Sequence, residues 1–118
     1  MEQKIGAIVA QHLPGTNARI QFEEAIPSMP PSQANLALLK QYSTASEILG
    51  YGTVKPLDPG LRGAGDISHV ATYVSASLAG LGPIGYNAHS ERETLELNSL
   101  AMQTERATLL MYQLLTNN

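Results

Sequence analysis

The sequence predicts an α/β fold, because helix-like and strand-like segments alternate along the chain. Residues 33–49 and 99–115 repeat apolar side chains at the spacing of one helix face. Residues 18–23 alternate apolar and polar side chains, as a half-buried strand does. Residues 76–89 are apolar and interrupted by glycine, which is typical of a buried strand that leads into a loop. This order of helices and strands favours an α/β domain.

The first 25 residues predict one helix and one strand, which are too few elements for a domain. Residues 2–13 repeat apolar side chains at helical spacing, and Pro14 ends the predicted helix. Three prolines between residues 27 and 31 favour an extended linker, because proline fits neither a helix interior nor a central strand. We therefore divide the chain at this linker into residues 1–25 and residues 26–118.

Shorter elements are predicted between the two long helices. Residues 51–55 predict a short strand after the first long helix. Asp66 is expected to cap a short helix, because an aspartate at this position accepts hydrogen bonds from the first free N–H groups of a helix. Asn98 or Ser99 is expected to cap the final helix in the same way.

Composition excludes several function classes. The 118 residues have a formal net charge of -3, and the lysines and arginines are scattered. A nucleic acid or an anionic membrane is therefore not an expected partner. The absence of cysteine excludes disulfides, thiolate zinc sites and a cysteine nucleophile. No segment approaches the roughly 18 apolar residues of a membrane span, and the N-terminal apolar stretch is too short for a signal peptide. The compartment is left open.

His89 is the first candidate for chemistry. It follows a glycine-rich apolar segment and precedes Glu91 and Glu93, which is a plausible setting for a metal ligand with supporting carboxylates. The alternative is a surface histidine in a polar loop, and the local sequence by itself favours that alternative. His12 and His69 are distant in sequence and give no second histidine at zinc-protease spacing.

The second candidate is the turn formed by Gly63, Ala64, Gly65 and Asp66. A glycine-rich turn that leads into a helix offers backbone N–H groups, which suit an anion such as a carboxylate. The turn lacks the third glycine and the preceding regular strand of a phosphate-binding loop. An ordinary capped turn is the alternative, and the local sequence favours it.

Taken together, these segments resemble one family. Residues 63–71 resemble the Gly-Asp turn near the end of the di-zinc exopeptidases that include glutamate carboxypeptidase, aminoacylase and acetylornithine deacetylase. Residues 78–85 and 88–90 resemble the last metal-binding strand and loop of that family. Upstream, residues 13–16 and 26–30 resemble the end of its inserted lid domain. The resemblance covers nearly the whole chain, but only the last quarter to third of a family member.

The resemblance implies both a fold and a function. Residues 26–118 would be the C-terminal part of a three-layer zinc-exopeptidase catalytic domain, and residues 1–25 a helix–strand remnant of the lid (dimerisation) domain. The chain would be a fragment of a metal-dependent hydrolase that cleaves peptide or N-acyl amide bonds, inactive as this chain alone. The alternative is a non-catalytic folded fragment that acts as an interaction or oligomerisation module. An unrelated small-ligand binding domain is a third interpretation.

The resemblance also assigns individual residues. His89 matches the histidine that binds one of the two zinc ions, and Glu93 matches a carboxylate that supports this loop without touching metal. The loop that borders the substrate pocket matches Gly63, Ala64, Gly65 and Asp66. The other zinc ligands and the general-base glutamate match no residue here, so we expect no catalytic residue and weak or absent zinc binding in this chain alone. The implied partners are a peptide or N-acyl amino acid substrate and, as an open option, a second subunit.

Overall fold

The structure is a computed structural model that describes residues 1–23, 25–27, 29–61 and 65–116. Within these ranges the elements, in chain order, are helix α1 (Glu2–Val9), helix α2 (Gln33–Ile48), a 3-10 turn (Pro59–Leu61), helix α3 (Ile67–Val70), strand β1 (Gly85–Tyr86), strand β2 (Thr94–Leu95) and helix α4 (Leu97–Thr116). The molecule measures 67 × 39 × 19 Å and its radius of gyration is 20.3 Å. A compact domain of this length has a radius of gyration of about 13 Å, so this chain is strongly extended.

The prediction of an α/β fold is wrong, and so is the expectation of a three-layer domain. Helices hold 46% of the described residues and strands 4%, in one two-stranded sheet. Its strands are antiparallel, with Gly85 opposite Leu95 and Tyr86 opposite Thr94. Residues 18–23, 51–55 and 76–84 contain no strand. A strand needs the hydrogen bonds of a neighbour, and an isolated pair is marginal in water, so apolar alternation alone did not produce a sheet.

The two long helices that the sequence predicts pack against each other and form the core. Ser32 caps α2, since its Oγ accepts a hydrogen bond from the Asn35 N–H at 3.0 Å. Tyr42 and Ala45 of α2 and Leu110 of α4 are the buried apolar residues. Partly buried side chains surround them: Leu38, Leu39, Val54, Leu78, Leu81 and Leu109. We refer to α2 and α4 together as the helix pair.

The segment between the long helices is irregular but attached to the helix pair. The Ser77 N–H donates to Asn35 Oδ1 at 2.9 Å, which fixes this segment against the first turn of α2. Asp66 precedes α3 with helical dihedral angles and makes no side-chain capping bond. The expected cap at Asp66 is therefore wrong, because a cap residue needs an extended backbone to turn its carboxylate toward the first N–H groups.

The N-terminal segment, residues 1–23, contributes no buried residue to the core. No other helix or strand of the described chain packs against α1, and α1 has no buried residue. Apolar side chains in this segment are exposed to solvent, with Ile8 at 69% and Leu13 at 75%. The predicted helix here exists but ends at Val9, and the predicted strand that followed it is absent. No helix among the described residues is both long and apolar enough to cross a membrane.

Candidate functional site

His89 lies in the loop of residues 87–93, which joins β1 to β2. The base of this hairpin is fixed to the start of α4 by Ser99, which is 2% exposed. Its Oγ accepts a hydrogen bond from the Ile84 N–H at 2.8 Å and donates to the Glu96 carbonyl at 2.6 Å. The Glu96 N–H also donates to the Ile84 carbonyl at 2.9 Å. The hairpin therefore projects from the N-terminal end of α4 with a fixed base.

The two strands of the hairpin approach closely at Gly85. A side chain at this position would place its Cβ 3.2 Å from the Thr94 carbonyl oxygen. That distance is tighter than ordinary van der Waals contact, so glycine permits the approach of the two backbones. This requirement explains one of the glycines in the apolar segment before His89.

The backbone of the loop bends sharply at two residues that are not glycine. Asn87 has φ 56° and His89 has φ 64°, both in the left-handed region. This region costs a residue with a Cβ about 1–2 kcal/mol, although asparagine tolerates it better than most. Such conformations persist only where surrounding interactions hold them, and they concentrate at functional sites.

Hydrogen bonds within the loop hold this conformation. The His89 N–H donates to Glu93 Oε2 at 3.2 Å. The Ser90 hydroxyl donates to the Asn87 carbonyl at 2.7 Å and accepts from the Arg92 N–H at 3.2 Å. The Glu93 N–H donates to the Ser90 carbonyl at 3.1 Å, and Asn87 Nδ2 donates to the Arg92 carbonyl at 3.3 Å. These hydrogen bonds join the first half of the loop to its second half.

The side chains of the loop could fill one coordination position of a zinc site. His89 is an exposed imidazole, and Glu93 contacts the backbone of His89 through its carboxylate. Within the described ranges, no three side chains of the metal-binding types lie together as a group that could hold an ion. A catalytic zinc needs about three protein ligands. One imidazole can therefore occupy one coordination position, and the described residues do not complete the site.

The predicted anion-binding turn is only partly visible. Gly63 and Ala64 lie outside the described residues, while Gly65 and Asp66 precede α3. The Ser68 N–H donates to the Gly65 carbonyl at 2.9 Å, and the His69 N–H donates to the Asp66 carbonyl at 3.1 Å. These two N–H groups are therefore engaged within the turn and do not face a ligand. Asp66 itself is exposed.

Sequence reasoning missed Arg106, a buried cation between the two long helices. It is 9% exposed, and its Nε donates to Ser46 Oγ at 2.8 Å. Its two terminal nitrogens donate to Gln103 Oε1 at 3.2 Å and to the Tyr51 carbonyl at 3.1 Å. The guanidinium carbon lies 5.4 Å from the centre of the Tyr51 ring, within range of a cation–π interaction. The only signal in the sequence is a charge four residues before Leu110, on the inward face of α4.

Tyr42 contacts the same group of polar side chains around Arg106, which we call the polar cluster. Its hydroxyl donates to Gln103 Oε1 at 2.8 Å. Burial raises the pKa of the Tyr42 hydroxyl above its ordinary value, and the nearby charge of Arg106 lowers it in part. At the edge of the cluster, the hydroxyl of Tyr51 donates to Glu105, and this hydrogen bond raises the pKa of Tyr51. The cluster stabilises the helix pair and has no link to the loop of His89.

A shallow groove of about 380 Å³ runs along α2 beside residues 53–56. Two of its polar side chains are already paired, because the Ser43 hydroxyl donates to Glu47 at 3.1 Å and accepts from the Val54 N–H at 3.0 Å. The residues that line it do not include His89 or the turn at Gly65. The groove is therefore a weaker candidate for function than the loop.

Comparison with known proteins gave no relative: no family model, no curated protein and no solved structure matches this chain.

Proposed function

We propose that this chain provides His89 as one zinc ligand to a two-metal hydrolase of peptide or N-acyl amide bonds, and that it has no hydrolase activity alone. The observation that supports this best is the loop of residues 87–93, in which an exposed histidine stands in a left-handed conformation held by hydrogen bonds. The resemblance of residues 63–71 and 78–90 to the di-zinc exopeptidases supplies the reaction class. Peptides or N-acyl amino acids are the implied substrates.

Each residue of the loop has a role in this proposal. His89 donates a neutral imidazole nitrogen, which is a preferred zinc ligand. Glu93 holds the backbone of His89 and adds negative charge beside it, so that it supports the ligand without binding metal. A zinc ion held in part by His89 would polarise the amide carbonyl and lower the pKa of bound water. The remaining ligands and the general base belong to polypeptide beyond the described residues.

A site-resolved zinc titration tests this proposal. NMR signals of the three imidazoles, His12, His69 and His89, are followed while Zn²⁺ is added to the full chain. We expect His89 to respond at the lowest zinc concentration and the His89→Ala variant to lose that response. A panel of dipeptides and N-acyl amino acids should show no turnover. Equal responses of all three histidines would contradict the role of His89 as a zinc ligand. Turnover by the chain alone would contradict the proposal that activity needs further zinc ligands.

A second candidate function, self-association, is favoured by the outward face of α4. Three of its apolar side chains are highly exposed: Leu97 at 75%, Met111 at 56% and Leu115 at 81%. The only charged residues of α4 are Glu105 and Arg106, and both are engaged at the helix pair and at Tyr51. The outward face is therefore uncharged, with its apolar side chains separated only by the exposed Thr104 and Thr108, whereas surface helices of soluble proteins usually expose charges.

A second copy of the chain is the occupant that fits this face. The chain carries a net charge of -3, so two copies repel each other overall. An uncharged face avoids that repulsion, and a two-fold pairing of identical surfaces is the commonest form of a homo-oligomer. In this second proposal the chain is an oligomerisation module in which α4 pairs with α4.

Sedimentation over a range of concentrations tests the second candidate. The wild-type chain should shift from monomer to dimer, and Leu115→Glu should shift it back. Leu13→Glu is the matched control, since Leu13 is 75% exposed but lies in the N-terminal segment. A monomer at all concentrations, or equal effects of both substitutions, would contradict pairing through α4.

A further inference from the structure

We propose that two copies of the chain pair through α4 in antiparallel orientation, with Leu97 of one copy against Leu115 of the other. This inference rests on the second proposed function, self-association through the outward face of α4, and adds the orientation and register of the pair. The alternative is a parallel pair, in which each residue meets its own counterpart.

The outward face of α4 has the spacing of a coiled-coil contact line. Six exposed residues follow one another at alternating steps of four and three residues, the spacing at which side chains meet a second helix. We call this set the seam: Leu97, Ala101, Thr104, Thr108, Met111 and Leu115. The buried residues Arg106 and Leu110 lie on the opposite side of the helix, toward α2. A second helix can therefore contact the seam while the helix pair stays intact.

The sizes of the seam side chains favour the antiparallel order. An antiparallel pair whose midpoint lies at the level of Arg106 has three kinds of layer: Leu97 with Leu115, Ala101 with Met111, and Thr104 with Thr108. The long Met111 side chain then fills the space beside the small Ala101. A parallel pair would place alanine against alanine in one layer and methionine against methionine in another. Such uneven layers leave gaps that lose van der Waals contact.

The charges at one end of α4 favour the same order. Residues 90–96, in the hairpin that precedes the helix, contain three glutamates and one arginine and so have a net charge of -2, whereas residues 107–116 have no charged side chain. A parallel pair brings the two acidic hairpins together. The antiparallel pair separates them by the length of the seam, about 27 Å at 1.5 Å per residue. That distance exceeds the screening length of about 8 Å at physiological ionic strength, so each acidic end meets an uncharged stretch of the partner.

Cysteine cross-linking tests the orientation in the full chain, which has no cysteine of its own. Leu97→Cys protein labelled with ¹⁵N is mixed with an equal amount of unlabelled Leu115→Cys protein and oxidised, and mass spectrometry separates mixed from self-linked dimers. A disulfide needs Cα atoms within about 7 Å, which the antiparallel pair provides only between one variant and the other. In the control, Leu13→Cys replaces Leu97→Cys, since both leucines are 75% exposed but Leu13 lies outside the seam.

We expect mixed dimers to be nearly the whole product of the Leu97→Cys and Leu115→Cys mixture, because self-linked dimers would have to bridge about 27 Å. The control should form dimers more slowly and in random proportions. Self-linked dimers as the main product, or random proportions, would overturn the antiparallel order and leave self-association standing. A rate of cross-linking no higher than in the control would refute self-association through α4 and this inference with it.

Discussion

The N-terminal segment and the helix pair have similar apolar patterns but differ in what they bury. Residues 2–13 and 33–49 both repeat apolar side chains at helical spacing. Helix α1 buries no residue, whereas the helix pair buries Tyr42, Ala45 and Leu110. Arg106 of α4 also donates hydrogen bonds to Ser46 and to the Tyr51 carbonyl. An apolar repeat thus predicts a helix. A buried core forms only where a second element of matching shape packs against that helix and its polar groups find partners.

The difference has an energetic basis. Isolated helices shorter than about 12–15 residues are marginal in water, and α1 has 8 residues. The helices of the pair have 16 and 20 residues and face each other. Stability should therefore be concentrated in the helix pair, and the following substitutions test that distribution.

The largest effect is expected for Leu110→Ala. Leu110 is 5% exposed, and removing a buried leucine side chain costs about 2–5 kcal/mol. The free energy of unfolding is measured by urea denaturation followed by circular dichroism. Leu115→Ala on the same helix is the matched control, since Leu115 is 81% exposed and should cost less than about 0.5 kcal/mol. Similar losses for both variants would show that the buried face of α4 is assigned wrongly.

Arg106→Lys should destabilise the chain by about 1.5–3 kcal/mol, the range for hydrogen bonds to charged groups. Lysine keeps the positive charge, but its single ammonium cannot reach Ser46, Gln103 and the Tyr51 carbonyl together. The same denaturation measurement applies. Arg92→Lys is the control, because Arg92 is exposed and enters the loop bonds only through its backbone. A neutral result at Arg106 would mean that the helix pair is held by its apolar contacts alone.

Tyr42 should make the stability of the helix pair depend on alkaline pH. Because the pKa of Tyr42 is raised in the folded chain, the neutral hydroxyl is favoured by folding. This contribution is fully present below the unfolded value of about 10 and is lost as the pH rises through the folded pKa. The wild-type chain should therefore lose stability above about pH 10 more steeply than Tyr42→Phe does. Parallel pH profiles for the two proteins would contradict a buried, hydrogen-bonded Tyr42.

The smallest effect on stability is expected from cutting the N-terminal segment. Arg19 lies in an exposed, irregular stretch, so trypsin should cleave after it first. The remaining chain should unfold with a free energy within about 0.5 kcal/mol of the intact protein, because α1 contacts no other element. Mass spectrometry identifies the cut and urea denaturation measures the change. A large loss of stability after this cut would show that the segment does contribute to the core.

The sequence predicted the long helices well and the strands poorly. The observed bounds, Gln33–Ile48 and Leu97–Thr116, lie within two residues of the predicted ones, since helical periodicity and capping are local properties. A strand depends on a neighbouring strand that can be far away in sequence, so the alternation of apolar and polar side chains at residues 18–23 was not sufficient to form one. Ser99, predicted as one of two caps, lies within the first turn of α4 and bonds the hairpin to it.

The residue types of the loop of residues 87–93 could be interpreted from the sequence, but the geometry of the loop could not. His89 and Glu93 are only four residues apart in sequence, so their association could be expected from the local pattern. The left-handed conformation of His89 and the two hydrogen bonds of the Ser90 hydroxyl could not, because they depend on the backbone path of the whole loop and not on residue type alone. Arg106 was missed since its partners Ser46 and Tyr51 are 60 and 55 residues away.

The same long separations determine how the chain can fold. The hydrogen bonds between Tyr42 and Gln103 and between Ser46 and Arg106, which join the two long helices, close loops of about 60 residues. Closing such a loop costs entropy before any buried contact stabilises it, which slows folding. During synthesis α2 emerges from the ribosome well before α4, so Tyr42 and Ala45 stay uncovered until the final helix has been made. The core therefore cannot form before α4 has been made, and until then these uncovered apolar side chains expose the nascent chain to aggregation.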